Sequence, residues 1–244
     1  MWAHGATRVF AVSSVDLRVI DGTWAFADRH IRDIETHWAR RQRETPGFFN
    51  GSVVIMTAYT VSGDGRRLSA KFIRTDFRSF LYWRETGWRD ESVMDGFGSA
   101  LILSADGQVL LGRQSDGNLN SGLCYPPSGF IDARDIAADG GIDIDRSVAR
   151  ELHEETGLSA PVLSREGGYV VTIAGPTLSI AVPFRSPLAG DALLREADRH
   201  ISSHAGSELA QFVLVAAGEP ALGLSMPDYA RALLTGLPHL KIAV

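Results

Sequence analysis

Apolar and polar residues alternate from Arg8 to Ile20, many of them β-branched, which predicts one strand over residues 8–20. The period then lengthens. Ile31, Ile34, Trp38 and Ala39 recur at helical spacing between charged positions, so a helix is expected from about Ala27 to Arg43, stopped by TPGFFNG at 45–51. SVVIMTAYTV and RRLSAKFIRT flank SGDG, a hairpin signal in which Gly65 supplies a positive φ. Residues 76–93 are aromatic-rich and follow no clear period. A second hairpin is expected from SALILS and QVLLGRQ around ADG, and SDGNLNSG (115–122) reads as a loop. CYPPSGFID is an extended, proline-stiffened stretch, and GGIDIDRSVARELHEETGL is a loop feeding a helix from about Asp145 to Thr156. Strands near 168–173 and 178–184 follow, then a helix over 191–201, a strand over 208–216 and a last helix over 226–237 with Pro227 in its first turn.

This order gives an α/β (α+β) fold. An N-terminal α+β segment over residues 1–95 is expected to pack on an α/β core over 96–244, with one continuous domain as the alternative. No repeat, low-complexity run or long linker interrupts it. The first apolar run is broken by Asp16 and Arg18 and reads as a strand, not a signal peptide. No apolar run approaches the ~18 residues that a membrane span needs. A net charge of −5 argues against binding nucleic acid or anionic membrane. One cysteine, Cys124, excludes an internal disulfide and a polythiolate zinc site, and fits a cytoplasmic protein.

The candidate chemistry lies in RELHEETGL (150–158). Around a helix of 3.6 residues per turn, Val148, Ala149, Leu152 and Thr156 share one side, suited to packing on a sheet. Arg150, Glu151, Glu154 and Glu155 share the other. Glu151 stands three and four residues before Glu154 and Glu155, so like charges meet. Gly157 is the natural C′ residue, which puts two of those glutamates in the last turn, where the backbone presents its negative pole. Arg150 and Glu154 are the only offsetting pair within the helix. A solvated charged face is the plainer account, whereas a divalent cation with hard oxygen ligands removes the conflict.

RELHEETGL resembles the second half of the Nudix box, Arg-Glu-apolar-x-Glu-Glu-x-Gly-apolar, at all seven of its defined positions. In the first half, PSGFIDARD supplies Gly129 and, where glutamate is usual, Asp135. Fourteen residues separate Asp135 from Arg150, about seven more than usual, and Ala137–Ile144 is expected to be a surface excursion. The resemblance implies a Nudix fold over about 96–244, a mixed sheet between helices, and Mg²⁺-dependent attack of water on a nucleoside diphosphate linked to another group, with Mn²⁺ as the alternative metal. By position it implies Gly129 (through its carbonyl), Glu151, Glu154 and Glu155 as metal ligands. Arg150 is then the residue that orients a box glutamate. The helix–PGFFNG–hairpin–TDFRSF leader, the enlarged box and the late SHAGSELAQFVLV are similar to the UDP-sugar diphosphatase group. That alignment puts Glu208 opposite the metals, so Glu151 or Glu208 is the expected general base. The resemblance thus implies cleavage of a nucleotide sugar such as UDP-glucose to a nucleoside monophosphate and a sugar 1-phosphate. The alternatives are an ADP-ribose or dinucleotide diphosphatase, or a Nudix-fold nucleotide-binding regulator without turnover. The expected partner is a small nucleoside diphosphate derivative, neither nucleic acid nor membrane.

Other residues take simpler roles. His153 is expected in solvent, Cys124 buried, and Tyr82, Trp83 and Trp88 in packing and not in base stacking.

Overall fold

In the computed structural model, which describes residues 7–203, 207–221 and 223–240, the first alternating run is two strands. β1 (Arg8–Val12) and β2 (Ser14–Val19) part at Ser13 and enter different sheets, correcting the single strand expected over 8–20. The next helical stretch also divides, into α1 (Ala25–Arg29) and α2 (Ile31–Glu44), with His30 capping the first. β3 (Ser52–Val61) and β4 (Arg67–Asp76) form the expected hairpin, and Gly65 turns it at φ +71°. The unassigned aromatic segment is a helix, α3 (Phe77–Glu85). Asp76 starts it, its side chain accepting from the Ser79 amide at 3.0 Å.

The remaining elements are β5 (Asp95–Leu103), β6 (Gln108–Gln114), the short β7 (Cys124–Tyr125) and β8 (Ser128–Gly129), α4 (Ile144–Thr156), β9 (Ser164–Arg165), β10 (Tyr169–Ala174), β11 (Thr177–Arg185), α5 (Gly190–Ser203), β12 (Leu209–Ala216) and α6 (Asp228–Gly236). Pro227 precedes α6 in an extended conformation and so stands one residue outside it. Residues 204–206 of SHAGSELAQFVLV lie outside the described residues.

The large sheet runs β1-β10-β11-β5-β6-β12, antiparallel except for the β11–β5 pair. α4 and α5 cover one face, where Val148, Leu152, Leu193 and Ala197 pack with Ala100, Ile102, Ile180 and Val182. α6 covers the other, where Leu233 and Leu234 pack with Leu101, Val109 and Ala181. The fold is therefore mixed α/β, a mixed sheet between helices. Close approach of α4 depends on Gly98, where a Cβ would stand 2.5 Å from Val148 Cγ2.

The small sheet runs β2-β4-β3, and its Leu17, Val54, Met56 and Phe72 enter the same core as Val148 and Leu152. β1 crosses into the large sheet outright. Residues 7–95 are thus knit into the rest through a strand and a shared core. Among the described residues, no helix is long and apolar enough to cross a membrane.

The stretch between Asp135 and α4 has its tip, residues 137–139, at the surface as expected for Ala137–Ile144, but its second half is tied into the fold and not free. Ile136 and Ile142 bridge to close a tight loop, and the loop then pairs with the open edge of β2. Val19 donates to Gly140 O at 2.8 Å, Ile142 donates to Leu17 O at 2.8 Å, and Ile142 and Ile144 are buried. Backbone pairing of this kind satisfies an exposed strand edge.

Candidate functional site

Local sequence explains where α4 begins and ends. Asp143 caps its start, accepting from the Arg146 amide at 3.0 Å, and Gly157 ends it in the left-handed region at φ +66°. Asp145 in the first turn receives Arg165 Nε at 2.6 Å and the Tyr169 hydroxyl. At the other end His200 Nε2 meets the Glu154 carbonyl at 3.0 Å.

The helix faces differ from the simple projection at two positions. Ala149, expected on the packed side, is exposed, and Glu155, expected on the open side, is only 7% exposed. The Ser128 amide reaches the Glu155 carboxylate, donating to Oε2 at 3.2 Å. Glu154 is about half exposed, and Glu151 lies between these extremes. The three glutamates therefore do not converge on open space together. Glu151 faces a cleft, Glu155 is buried beside Ser128, and Glu154 is at the surface.

Arg150 is the hub of this wall. Its Nη1 donates to Glu151 Oε1 and stands 3.5 Å from Glu154, while Nη2 reaches Asp135 Oδ2 at 3.0 Å. Asp135 is wholly buried in its side chain. It also accepts from Ser147 Oγ at 2.9 Å and the Asp132 amide at 3.1 Å. The aspartate that replaces the usual glutamate thus anchors Arg150, a role spacing alone left undecided. Arg150 thus touches carboxylates on both sides, Asp135 on one and Glu151 and Glu154 on the other.

β8 sets Gly129 against Glu151 so closely that a Cβ there would stand 2.2 Å from Glu151 Cδ. A larger residue there would displace the Glu151 carboxylate from its present position. Burial raises the Glu151 carboxyl above its usual range despite Arg150, with Glu154 and Glu208 adding to the rise. Burial raises Glu155 further, with repulsion from Glu151 and Glu208 behind it, opposed by the Ser128 amide. Glu208, in the residue before β12, lines the same cleft, and no hydrogen bond engages its carboxylate among the described residues.

This donor set fits a divalent cation: oxygen ligands only, mutually repelling, two of them held in surroundings that disfavour uncompensated charge. These carboxylates are not drawn into a closed set, since no three His, Cys, Asp or Glu side chains stand at metal-ligand spacing among the described residues.

The cleft has a volume of about 400 Å³, within the range of small-molecule sites. Its other lining was not foreseen. Arg84 at the end of α3 and Trp88 just beyond it enter the cleft beside Asp95, Phe97, Asn120 and Phe130. Arg84 Nη2 donates to Asn120 Oδ1 at 2.5 Å, and Asn120 Nδ2 donates to the Tyr125 hydroxyl at 2.9 Å. Tyr82 and Trp83 are buried in an aromatic cluster as expected, and Trp88 packs against that cluster as expected and also lines the cleft. The one sequence signal for this region was its density of aromatic and arginine residues. His153 is exposed and Cys124 buried, both as expected; burial pushes the Cys124 thiol up.

No protein-family model matches the chain, and no curated protein matches it. Several solved structures are similar to part of it. The Nudix hydrolase RenU of M. smegmatis is 17% identical, with 75% of this chain and 92% of that one covered at a TM-score of 0.40. The MutT protein of Methanosarcina mazei Go1 is 22% identical, with 60% and 94% covered and a TM-score of 0.40. Tm1382, a putative Nudix hydrolase, is 12% identical, with 77% and 98% covered and a TM-score of 0.43.

Proposed function

We propose that this chain is a Nudix-type pyrophosphohydrolase, dependent on Mg²⁺ or Mn²⁺, that cleaves a nucleotide sugar such as UDP-glucose to a nucleoside monophosphate and a sugar 1-phosphate. The observation that carries this reading is the meeting of Glu151 and Glu208 in one cleft, with Glu155 buried behind them and Arg84 at the same cleft. Residues 96–244 carry the acidic wall, and residues 1–95 contribute Arg84 and Trp88 to the opposite lining.

Glu151 and Glu155, with the Gly129 carbonyl, would hold the cation, and Glu154, half exposed in the same turn, would join them by turning toward the cleft. A bound divalent cation neutralises diphosphate charge and lowers the pKa of water. Arg150, anchored by Asp135, fixes the Glu151 carboxylate against Gly129 and leaves Glu151 Oε2 without a hydrogen bond among the described residues. Glu208, whose carboxylate has no hydrogen bond among the described residues, accepts the proton of the attacking water. The Arg84 guanidinium, oriented by Asn120, offers its remaining N–H groups to a phosphate oxygen.

The deciding measurement is a hydrolysis screen with Mg²⁺ over UDP-glucose, UDP-galactose, ADP-ribose and a dinucleotide, read by product chromatography. UDP-sugar cleavage to UMP and sugar 1-phosphate is expected. Preference for ADP-ribose or the dinucleotide would move the substrate within the same chemistry, and no hydrolysis of any would leave a nucleotide-binding module.

A further inference from the structure

Asp95 opens β5 at the cleft, and the aromatic side chains of Phe97, Phe130 and Trp88 line the same cavity. Its backbone amide is used, donating to Pro176 O at 2.8 Å, but no hydrogen bond or ion pair engages its carboxylate among the described residues. The nearest cationic influence is Arg84, already tied to Asn120. Burial pushes the Asp95 carboxyl up to about 6. An acid in that setting, open to a cavity and without a donor, is costly to the fold unless something else uses it.

Trp88 adds an independent sign of construction. It is held at φ +58°, a left-handed conformation disfavoured for a large side chain. Its amide donates to Trp83 O at 2.9 Å, and its ring stands edge-on to Trp83 with centroids 4.5 Å apart. Backbone and ring are thus both fixed where the aromatic group meets the cleft.

We propose that Asp95 determines specificity in this cleft by accepting two neighbouring hydrogen bonds from the part of the ligand that stacks on Trp88. The chemistry required is a pair of adjacent donors beside a flat or apolar face. Two portions of a nucleoside diphosphate derivative supply it: the N1–H and exocyclic N–H edge of a guanine, or a vicinal diol of a sugar. A uracil edge does not, because its single N–H lies between two carbonyl oxygens that an ionised carboxylate repels. This inference rests on the hydrolase reading, and on a UDP-sugar it assigns Asp95 to the sugar.

Asp95→Asn tests it, since the amide keeps the size but presents one donor and one acceptor. Wild type and variant, as the full chain, are assayed with Mg²⁺ on matched pairs that differ by one donor. GDP-glucose against IDP-glucose removes the base amine, and UDP-glucose against UDP-deoxyglucose sugars removes one hydroxyl. The wild type is expected to favour the complete ligand in one pair by at least about ten-fold in kcat/KM. Asp95→Asn is expected to erase that ratio, mainly through KM, and the pair that responds identifies base or sugar. An equal loss on every compound means a merely structural role and overturns the proposal, as does an unchanged ratio. If the variant does not fold, the wild-type ratios decide alone, and absence of discrimination in both pairs overturns it. If the wild type hydrolyses none of the compounds, thermal shifts with GDP against IDP and with the UDP-sugar pair apply the same criterion to binding. The hydrolase reading then fails separately from this one.

Discussion

The two linings of the cleft solve opposite electrostatic problems. The acidic wall sets Glu151 and Glu208 at the cleft with Glu155 buried behind them; their charges repel, and burial raises Glu151 and Glu155. Arg150 offsets part of this, and Asp135 holds Arg150 in place. The other lining is rich in aromatic residues, with one guanidinium tied to an amide and one carboxylate, Asp95, without a donor among the described residues. The first wall has too much negative charge for protein partners to satisfy. The second holds the Asp95 carboxylate, which has no donor among the described residues. A cation answers the first and a pair of hydrogen-bond donors the second, so the two linings suit the two ends of one phosphorylated ligand.

The largest expected effect breaks the acidic wall. Glu155→Gln keeps the size and a carbonyl for the Ser128 amide but removes one charge. Turnover should fall roughly a hundred-fold or more if Glu155 serves a cation. In chelator its thermal midpoint should rise by a few degrees, because a buried carboxylate beside Glu151 and Glu208 is removed. Unchanged hydrolysis would take Glu155 out of the site, and a lower midpoint would make it a structural residue.

A smaller effect tests what holds that wall in position. Removing residues 137–141 and rejoining the chain deletes the pairing of Gly140 with Val19 and disturbs that of Ile142 with Leu17. A loss of about 2 kcal/mol, or roughly 4–8 °C in the midpoint, is expected from two backbone bonds and the burial around them. Activity should drop alongside, since Asp135 and the Asp143 cap flank the loop. A midpoint within one degree of wild type would restore the free surface excursion.

The smallest effect sharpens the contrast at the other lining. The groups influencing Asp95 are Arg84 from α3, which favours its ionisation, and Tyr229 from α6. The folded carboxyl titrates near 6, above its ordinary value of about 3.8. Below both values the acid is protonated folded and unfolded, so it exerts no penalty. As pH rises from 4 to 6 the unfolded chain releases the proton first, and stability is lost until the folded group ionises. Asp95→Asn should therefore be more stable than wild type by an amount that grows between pH 4 and 6 and is constant above. After allowance for exposure to the cleft it is on the order of 1 kcal/mol. Midpoints of both proteins across pH 4–8 measure it, and a difference independent of pH would show that Asp95 titrates normally.

Much of this molecule is local and was legible in order. α4 has its cap at Asp143, its stop at Gly157 and its stripe of Val148 and Leu152 within fifteen consecutive residues. The two hairpins carry their own turns. Where two solutions share a pattern, legibility ended: 8–20 alternates whether it is one strand or two, and the break at Ser13 depends on which sheet each half can reach. The helix over 77–85 lacks a simple stripe because α3 buries residues around most of its circumference, including Phe80, Leu81, Tyr82 and Trp83.

The sequence by itself determined the acidic helix, the charges on it and the glycine that ends it, because one helical turn brings those residues together wherever the helix lies. Tertiary structure decided which glutamate is buried, since α4 presses Glu155 against β8 and leaves Glu154 in solvent. It decided that Asp135, fifteen positions before Arg150, is its anchor, and that the intervening residues are an extra rung on β2. It also assembled Arg84, Trp88, Asp95 and Phe130 from separate segments. No periodicity encodes such a meeting, because it exists only after the sheets have packed and the intervening chain has closed its loops.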